Sequence, residues 1–202
     1  MSSVLLAYPA PFLSFAKFKR KLDSILRNLA DFELICANDP NGFIKRYCTE
    51  KSAPIEFRIL TPPLIFREMT HATIFNDGDS LASLAQEIKL SGVPVREIPT
   101  PVTLVVNKDK DERYDVYIGR GTPWGNPYAV GFGNGPDETQ DDRYEAIRKF
   151  QYDFDKDYLR GGKEFKKAIL QLRGKRLGCH CKPLACHGDV LADYLNALDD
   201  GK

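Results

Sequence analysis

Apolar positions along the first hundred residues alternate between two periods. VLLAY (4–8), ELICA (33–37), IEFRIL (55–60), ATIFND (72–77) and VPVREI (93–98) are short apolar runs of strand length. Between the first two, Phe15, Phe18, Leu22, Ile25, Leu26 and Leu29 recur at helical spacing, with Ser14 placed to cap the helix. NGFIKRYCTEK (41–51), a short stretch over 64–70 and DSLASLAQEIKLSG (79–92) read as further helices, and Gly92 suits the last one's C-cap. Strand and helix alternate throughout, which is the pattern of a Rossmann-like parallel sheet with helices on both faces. Ligands in such sheets sit beyond the carboxyl ends of the strands, here AYPAPFLS (7–14), ANDPNG (37–42) and NDGDS (76–80).

The alternation stops at EIPTPVT (97–103), which sets a domain boundary near residue 100: residues 1–99 form the first domain and 100–202 a smaller α+β domain. LVVNKDKDERYDVYIG (104–119) reads as two short strands joined as a hairpin by a charged, solvated turn. GNGPDETQ (133–140) leads as a loop into a helix of about 139–158, with Arg143, Ala146, Ile147, Phe150 and Phe154 on one side. KEFKKAILQL (163–172) is helical, KRLGCHC (175–181) a strand and GDVLADYLNAL (188–198) the final helix.

Composition and charge narrow the class. Of 202 residues 43% are hydrophobic, enough for a real core, and 29 basic against 28 acidic residues leave a net charge of +1. That balance gives no general attraction to nucleic acid or membrane, although KFKRKL (17–22) is a local basic patch. The first residues lack a basic region before their apolar run, and no apolar run is long enough to span a bilayer. The expected compartment is the cytoplasm, where the five cysteines stay reduced.

Two segments carry candidate chemistry. In YIGRGTPWGNPYAVG (117–131), Gly119, Gly121 and Gly125 let the backbone approach an anion, and Arg120 supplies a bidentate fork. Trp124 offers a flat face for a base, and Asn126 an amide for a polar edge. The bland alternative is a rigid Gly/Pro loop plugged by Trp124. LGCHCKPLACHGDVL (177–191) gathers three cysteines and two histidines at a strand end and a helix start. Cys186, His187 and Asp189 there are candidate catalytic groups, and Lys182 a phosphate holder. Cys179, Cys181, Cys186 and His187 are the alternative, a zinc or iron site, against which the C-x-C-x4-C-H spacing counts, since common fingers use C-x2-C pairs. The core alternative buries Cys179 or Cys181 as small apolar side chains.

The first half, in its strand and helix order, its A-T-I-F-N-D-G-D-S turn and its V-P-V-R-E-I ending, resembles the SLOG-type Rossmann-like domains. That resemblance implies a nucleotide-derived ligand, yet the loop after the second strand, Cys36 to Gly42, carries one glycine where nucleotide binders are glycine-rich. Y-I-G-R-G-T-P-W-G-N-P-Y (117–128) and L-G-C-H-C-K-P-L-A-C-H-G-D-V-L (177–191) resemble an uncharacterised domain family of phages and bacteria, over about 104–197. The resemblance implies that both segments serve one functional unit. It also weakens any essential role for His180, where members often carry an aromatic residue. A phage setting implies nucleotide metabolism, DNA modification or interference with the host. The expected partner is a nucleotide-like small molecule or nucleic-acid fragment, with bond-breaking left open. The rival is a non-enzymatic interaction protein, docking on a host protein or stapled by a metal.

Overall fold

The computed structural model describes residues 1–29, 31–51, 55–110, 113–128 and 140–201. The chain divides into two compact units, one of residues 1–101 together with 197–202, the other of residues 102–196.

In the first unit, β1 (Ser2–Ala7), β2 (Phe32–Cys36), β3 (Phe57–Ile59), β4 (His71–Asn76) and β5 (Val95–Pro99) form one parallel sheet in the order β3-β2-β1-β4-β5. Successive side chains of a strand point to opposite faces. One face carries Leu5, Ile35, Ala72 and Ile74, packed with Ile65 and Met69 and with Ala85 and Ile88. Those partners lie in and just after α3 (Pro62–Glu68) and in α4 (Ala82–Leu90). Phe75, on the alternate register, stacks on Phe18 of α1 (Phe15–Leu26) at 5.0 Å between ring centroids. Phe18 also meets Phe43 and Tyr47 of α2 (Phe43–Thr49). Ser14 caps α1 as expected, accepting from the Lys17 N–H at 3.4 Å, a contact of a kind that contributes about 1 kcal/mol.

The basic run 17–22 is not an open cationic surface. Lys17 is buried, donating to the Pro99 carbonyl and pairing with Asp200 at 2.7 Å. Lys19 pairs with Glu50, and Arg20 with Asp199 and Asp200. Acids distant in sequence pair with three of its four cations, Lys17, Lys19 and Arg20, which local composition does not show.

The second unit is built on β6 (Leu104–Asn107), β7 (Val116–Tyr117) and β8 (Arg176–Cys179) in the order β6-β8-β7. Both flanking strands run parallel to β8, so the expected hairpin over 104–119 does not form. Tyr114, just before β7, packs over Gly178 of β8, where a Cβ would lie 2.7 Å from its ring. Helices α5 (Gln140–Asp155), α6 (Lys163–Ala168, continued by a 3-10 turn to Leu172) and α7 (His187–Ala197) complete the unit. Ala146, Phe150, Phe154, Phe165, Leu191 and Leu195 are among their buried positions. Asn196 of α7 closes a reciprocal pair with Thr103, accepting from its N–H at 2.7 Å and donating to its carbonyl at 2.9 Å. The 133–139 loop lies outside the described residues. No helix among the described residues is long and apolar enough to cross a membrane.

Candidate functional site

β7 and β8 lie side by side and deliver both motif segments to the same end of the small sheet. Gly119, Arg120 and Asn126 from one segment and Cys179, Cys181, Cys186 and His187 from the other line a single cleft of about 530 Å³. Tyr117, Tyr128, Arg143 and His180 also line it. A volume of this size lies within the usual range for a small-molecule site.

A tight loop carries the first segment. The Thr122 N–H and hydroxyl both bond the Gly119 carbonyl, and the Gly125 N–H bonds the Thr122 carbonyl. Arg120 is left exposed at the cleft, with no ion pair among the described residues. Asn126 spends its amide on tying the loop to α5, donating to the Ala146 carbonyl at 3.3 Å and accepting from the Tyr128 N–H at 2.9 Å. Trp124 does not reach this cleft. With Gly121 and Gly125 it lines an adjoining one of about 790 Å³, its ring 6.0 Å from that of Phe165, and Arg120 and Asn126 border both.

The second segment forms the floor. β8 ends at Cys179, and α7 begins at His187, directly after Cys186. Cys179, Cys186 and His187 are all buried. The Cys186 sulfur lies 3.3 Å from that of Cys179 and 3.5 Å from His187 Nδ1, and Cys181 Sγ is 3.6 Å from Cys179 Sγ. The Ile118 carbonyl can only accept, so His187 Nε2–H donates to it at 3.0 Å and Nδ1 keeps its lone pair toward the sulfurs. Burial lowers the His187 pKa and favours the neutral ring. Cys181 accepts from Cys179 and Cys186, which holds its thiol far below the ordinary range. The same shared protons, together with burial, push the Cys186 pKa up.

Asp189 and Lys182 do not join His187 at the cleft. They pair with each other at 2.6 Å, and the Asp189 carboxylate also accepts the Cys186 N–H at 2.9 Å, which is the inward half of a capping box. Asp189 borders a separate groove with Asp193 and Tyr194. Its expected cooperation with His187 is therefore replaced by a role in starting α7.

A constellation that sequence reasoning missed stands on the cleft rim. The His180 Nδ1 meets the Asp109 carboxylate, and its Nε2 lies 3.1 Å from the Tyr117 hydroxyl. A carboxylate accepts only, so Nδ1 carries the proton and Nε2 accepts from the tyrosine. Asp109, whose pKa this imidazole lowers, was expected in a solvated turn. Only the β6–β8 pairing, with Asn107 beside Cys179, reveals that Asp109 and His180 are neighbours.

Residues 1–106 match the minimal SLOG domain family. The chain belongs to the minimal SLOG domain family. Residues 104–197 match a second family, a domain of unknown function, DUF4326. The chain is also similar to the uncharacterized 12.4 kDa protein in the nrdA-td intergenic region of Enterobacteria phage T4. The two are 43% identical over 94 residues, which cover 46% of this chain and 78% of the phage protein. No solved structure matches.

SLOG domains are associated with nucleotide-related ligands. In this SLOG unit the strand order reverses between β2-β1 and β4, which puts the topological switch point of the sheet at the loops after β1 and β4. Phe12, from the loop after β1, stacks there on Phe75 at 5.3 Å between centroids. At the start of α2, the Asp39 carboxylate accepts the Ile44 and Lys45 N–H groups at 3.1 and 2.9 Å. Tyr8 holds the same carboxylate through its hydroxyl, and burial together with that bond raises the tyrosine's pKa. The chain's own acid thus takes the place that a phosphate takes at a helix N-terminus.

Proposed function

We propose that the second unit binds a nucleotide-like, phosphate-bearing ligand in the cleft between its two motif segments. One observation carries this reading: segments some 60 residues apart in sequence, one with an exposed arginine and one with the sulfur-rich floor, line the same cleft. Arg120 is the anion clamp, because a guanidinium offers a phosphate two parallel donors. Arg143 adds positive charge from α5, on the side of Cys181. Tyr117 and Tyr128 supply aromatic walls, and Trp124 lies in the adjoining cleft, where a longer ligand's second ring would stack. The Asp109–His180–Tyr117 chain gives this rim an oriented base for moving a proton on a bound ligand. All five cysteines are free, which suits a reducing, cytoplasmic setting. The likeness to an uncharacterized phage protein supports a phage setting, for which this reading takes nucleotide metabolism, DNA modification or action against the host as the range of roles.

Thermal unfolding against a panel of nucleotides and dinucleotides tests the reading. A ligand at a hundred times its Kd stabilises by about 2.7 kcal/mol, which moves the midpoint by several degrees. Arg120→Ala keeps its own midpoint and loses that shift. Absence of any shift at millimolar ligand in the unmodified protein overturns the reading.

A further inference from the structure

We infer that Cys179, Cys181, Cys186 and the Nδ1 atom of His187 form a zinc site at the floor of the cleft. Around a tetrahedral zinc, sulfurs at about 2.3 Å from the ion lie about 3.8 Å apart, and a sulfur and a nitrogen about 3.6 Å apart. The separations here are 3.3 and 3.6 Å between sulfurs and 3.5 Å from Cys186 Sγ to His187 Nδ1. One donor atom from each of Cys179, Cys186 and His187 lies within 4.8 Å of the other two. Cys181, half-buried and on the cleft side, lies outside that group of three but has its sulfur 3.6 Å from that of Cys179, and it is assigned the fourth corner.

Groups around the cluster are arranged as they are around bound metal. A histidine ligand donates its far N–H to a fixed acceptor, which orients the ring, and His187 does so with the Ile118 carbonyl. Phe150 meets the His187 ring edge-on at 5.3 Å and keeps that side dry. The Gly188 N–H donates to the Cys186 sulfur at 3.3 Å, a bond that stabilises anionic sulfur. Arg143 hydrogen-bonds Cys181 and balances charge on the open side. A merely apolar cluster would need none of these donors. The set of three thiolates and an imidazole suits zinc, and hard cations such as magnesium and calcium prefer oxygen. With four protein ligands the site is closed, so its work is to tie the end of β8 to the start of α7.

The spacing C-x-C-x4-C-H differs from common fingers because the scaffold differs. The ligands come from a strand end, a turn and a helix start.

Metal analysis of the full chain, expressed with zinc and purified under reducing conditions without chelator, tests the site independently of nucleotide binding. Stoichiometric zinc is expected, and cobalt exchanged for it gives the intense thiolate-to-cobalt absorption of a tetrahedral sulfur-rich site. Cys181→Ser, at the half-exposed corner, loses stoichiometric metal while its far-UV circular dichroism stays unchanged. His187→Cys, which keeps a donor, retains metal, and so does Cys36→Ser in the first unit. Zinc well below stoichiometric after reconstitution overturns the site. So does a disulfide among the three cysteines in a non-reduced peptide map, or metal that survives Cys181→Ser together with Cys186→Ser.

Discussion

A Cβ placed on Gly125 would stand 2.6 Å from the carbonyl oxygen of Gly119 and 3.1 Å from the Arg120 Cα. The loop folds back on itself so closely that the backbone of one glycine passes over that of another. Arg120 is presented to the cleft by that crossing. Gly125→Ala therefore forces the loop apart. The expected loss is about 1–3 kcal/mol in urea unfolding, as for other overpacked sites. Nucleotide stabilisation should fall with it, because Arg120 moves with the loop.

Lys17 and Asp200 illustrate a different dependence. The lysine side chain is 5% exposed and its partner acid 21%, at 2.7 Å. Removing one member of a buried pair leaves a charge without compensation. Asp200→Ala should destabilise the first unit by about 3 kcal/mol. The double variant Lys17→Met with Asp200→Ala should recover most of that loss, since an apolar pair needs no partner. Chemical denaturation of the two variants and the parent protein, followed on the transition of the first unit, checks both statements.

Acid should act on the same unit through Glu33. The Arg58 guanidinium, which hydrogen-bonds the Glu33 carboxylate, lowers its pKa, with Ser3 donating at 2.7 Å. The unfolded carboxylate titrates at about 4.3. A depressed folded value means the bound proton count is larger in the unfolded state over this window. The contribution is complete above the ordinary carboxylate range and is lost as pH falls through the lower folded value. Arg58→Met should flatten the decline of the urea midpoint between about pH 5 and pH 3 relative to the parent protein. An equally steep decline in the variant would assign the acid sensitivity to other groups.

Much of the first unit is legible in the chain because each strand is a short apolar run and each helix repeats at its own period. Phe18 and Leu22 lie where that spacing puts them, and Ser14 caps where its side chain permits. The pairing of the basic run is illegible because Asp199 and Asp200, which cover Arg20 and Lys17, are about 180 residues away. In the second unit the two motifs are legible as unusual composition, and their meeting place is not. Periodicity cannot say that β6 and β7 both pair with β8, so Asp109, Tyr117 and His180 look unrelated until the sheet is assembled. The same holds for Asp189: next but one to His187 in the chain, it turns to the Cys186 N–H because the first turn of a helix needs that acceptor.

The strand order β6-β8-β7 has a consequence for biosynthesis. Among the described residues β8 is the only strand with which either of its neighbours pairs, and it is made some 60 residues after the second of them. While the ribosome is still translating α5 and α6, β6 and β7 have emerged with their edges open. The minimal SLOG half, whose own strands are complete by Pro99, then has its sheet in hand while the second half waits. A nascent chain stalled before Arg176 should thus be open to proteolysis in its second half, and one released after Ala197 should resist it.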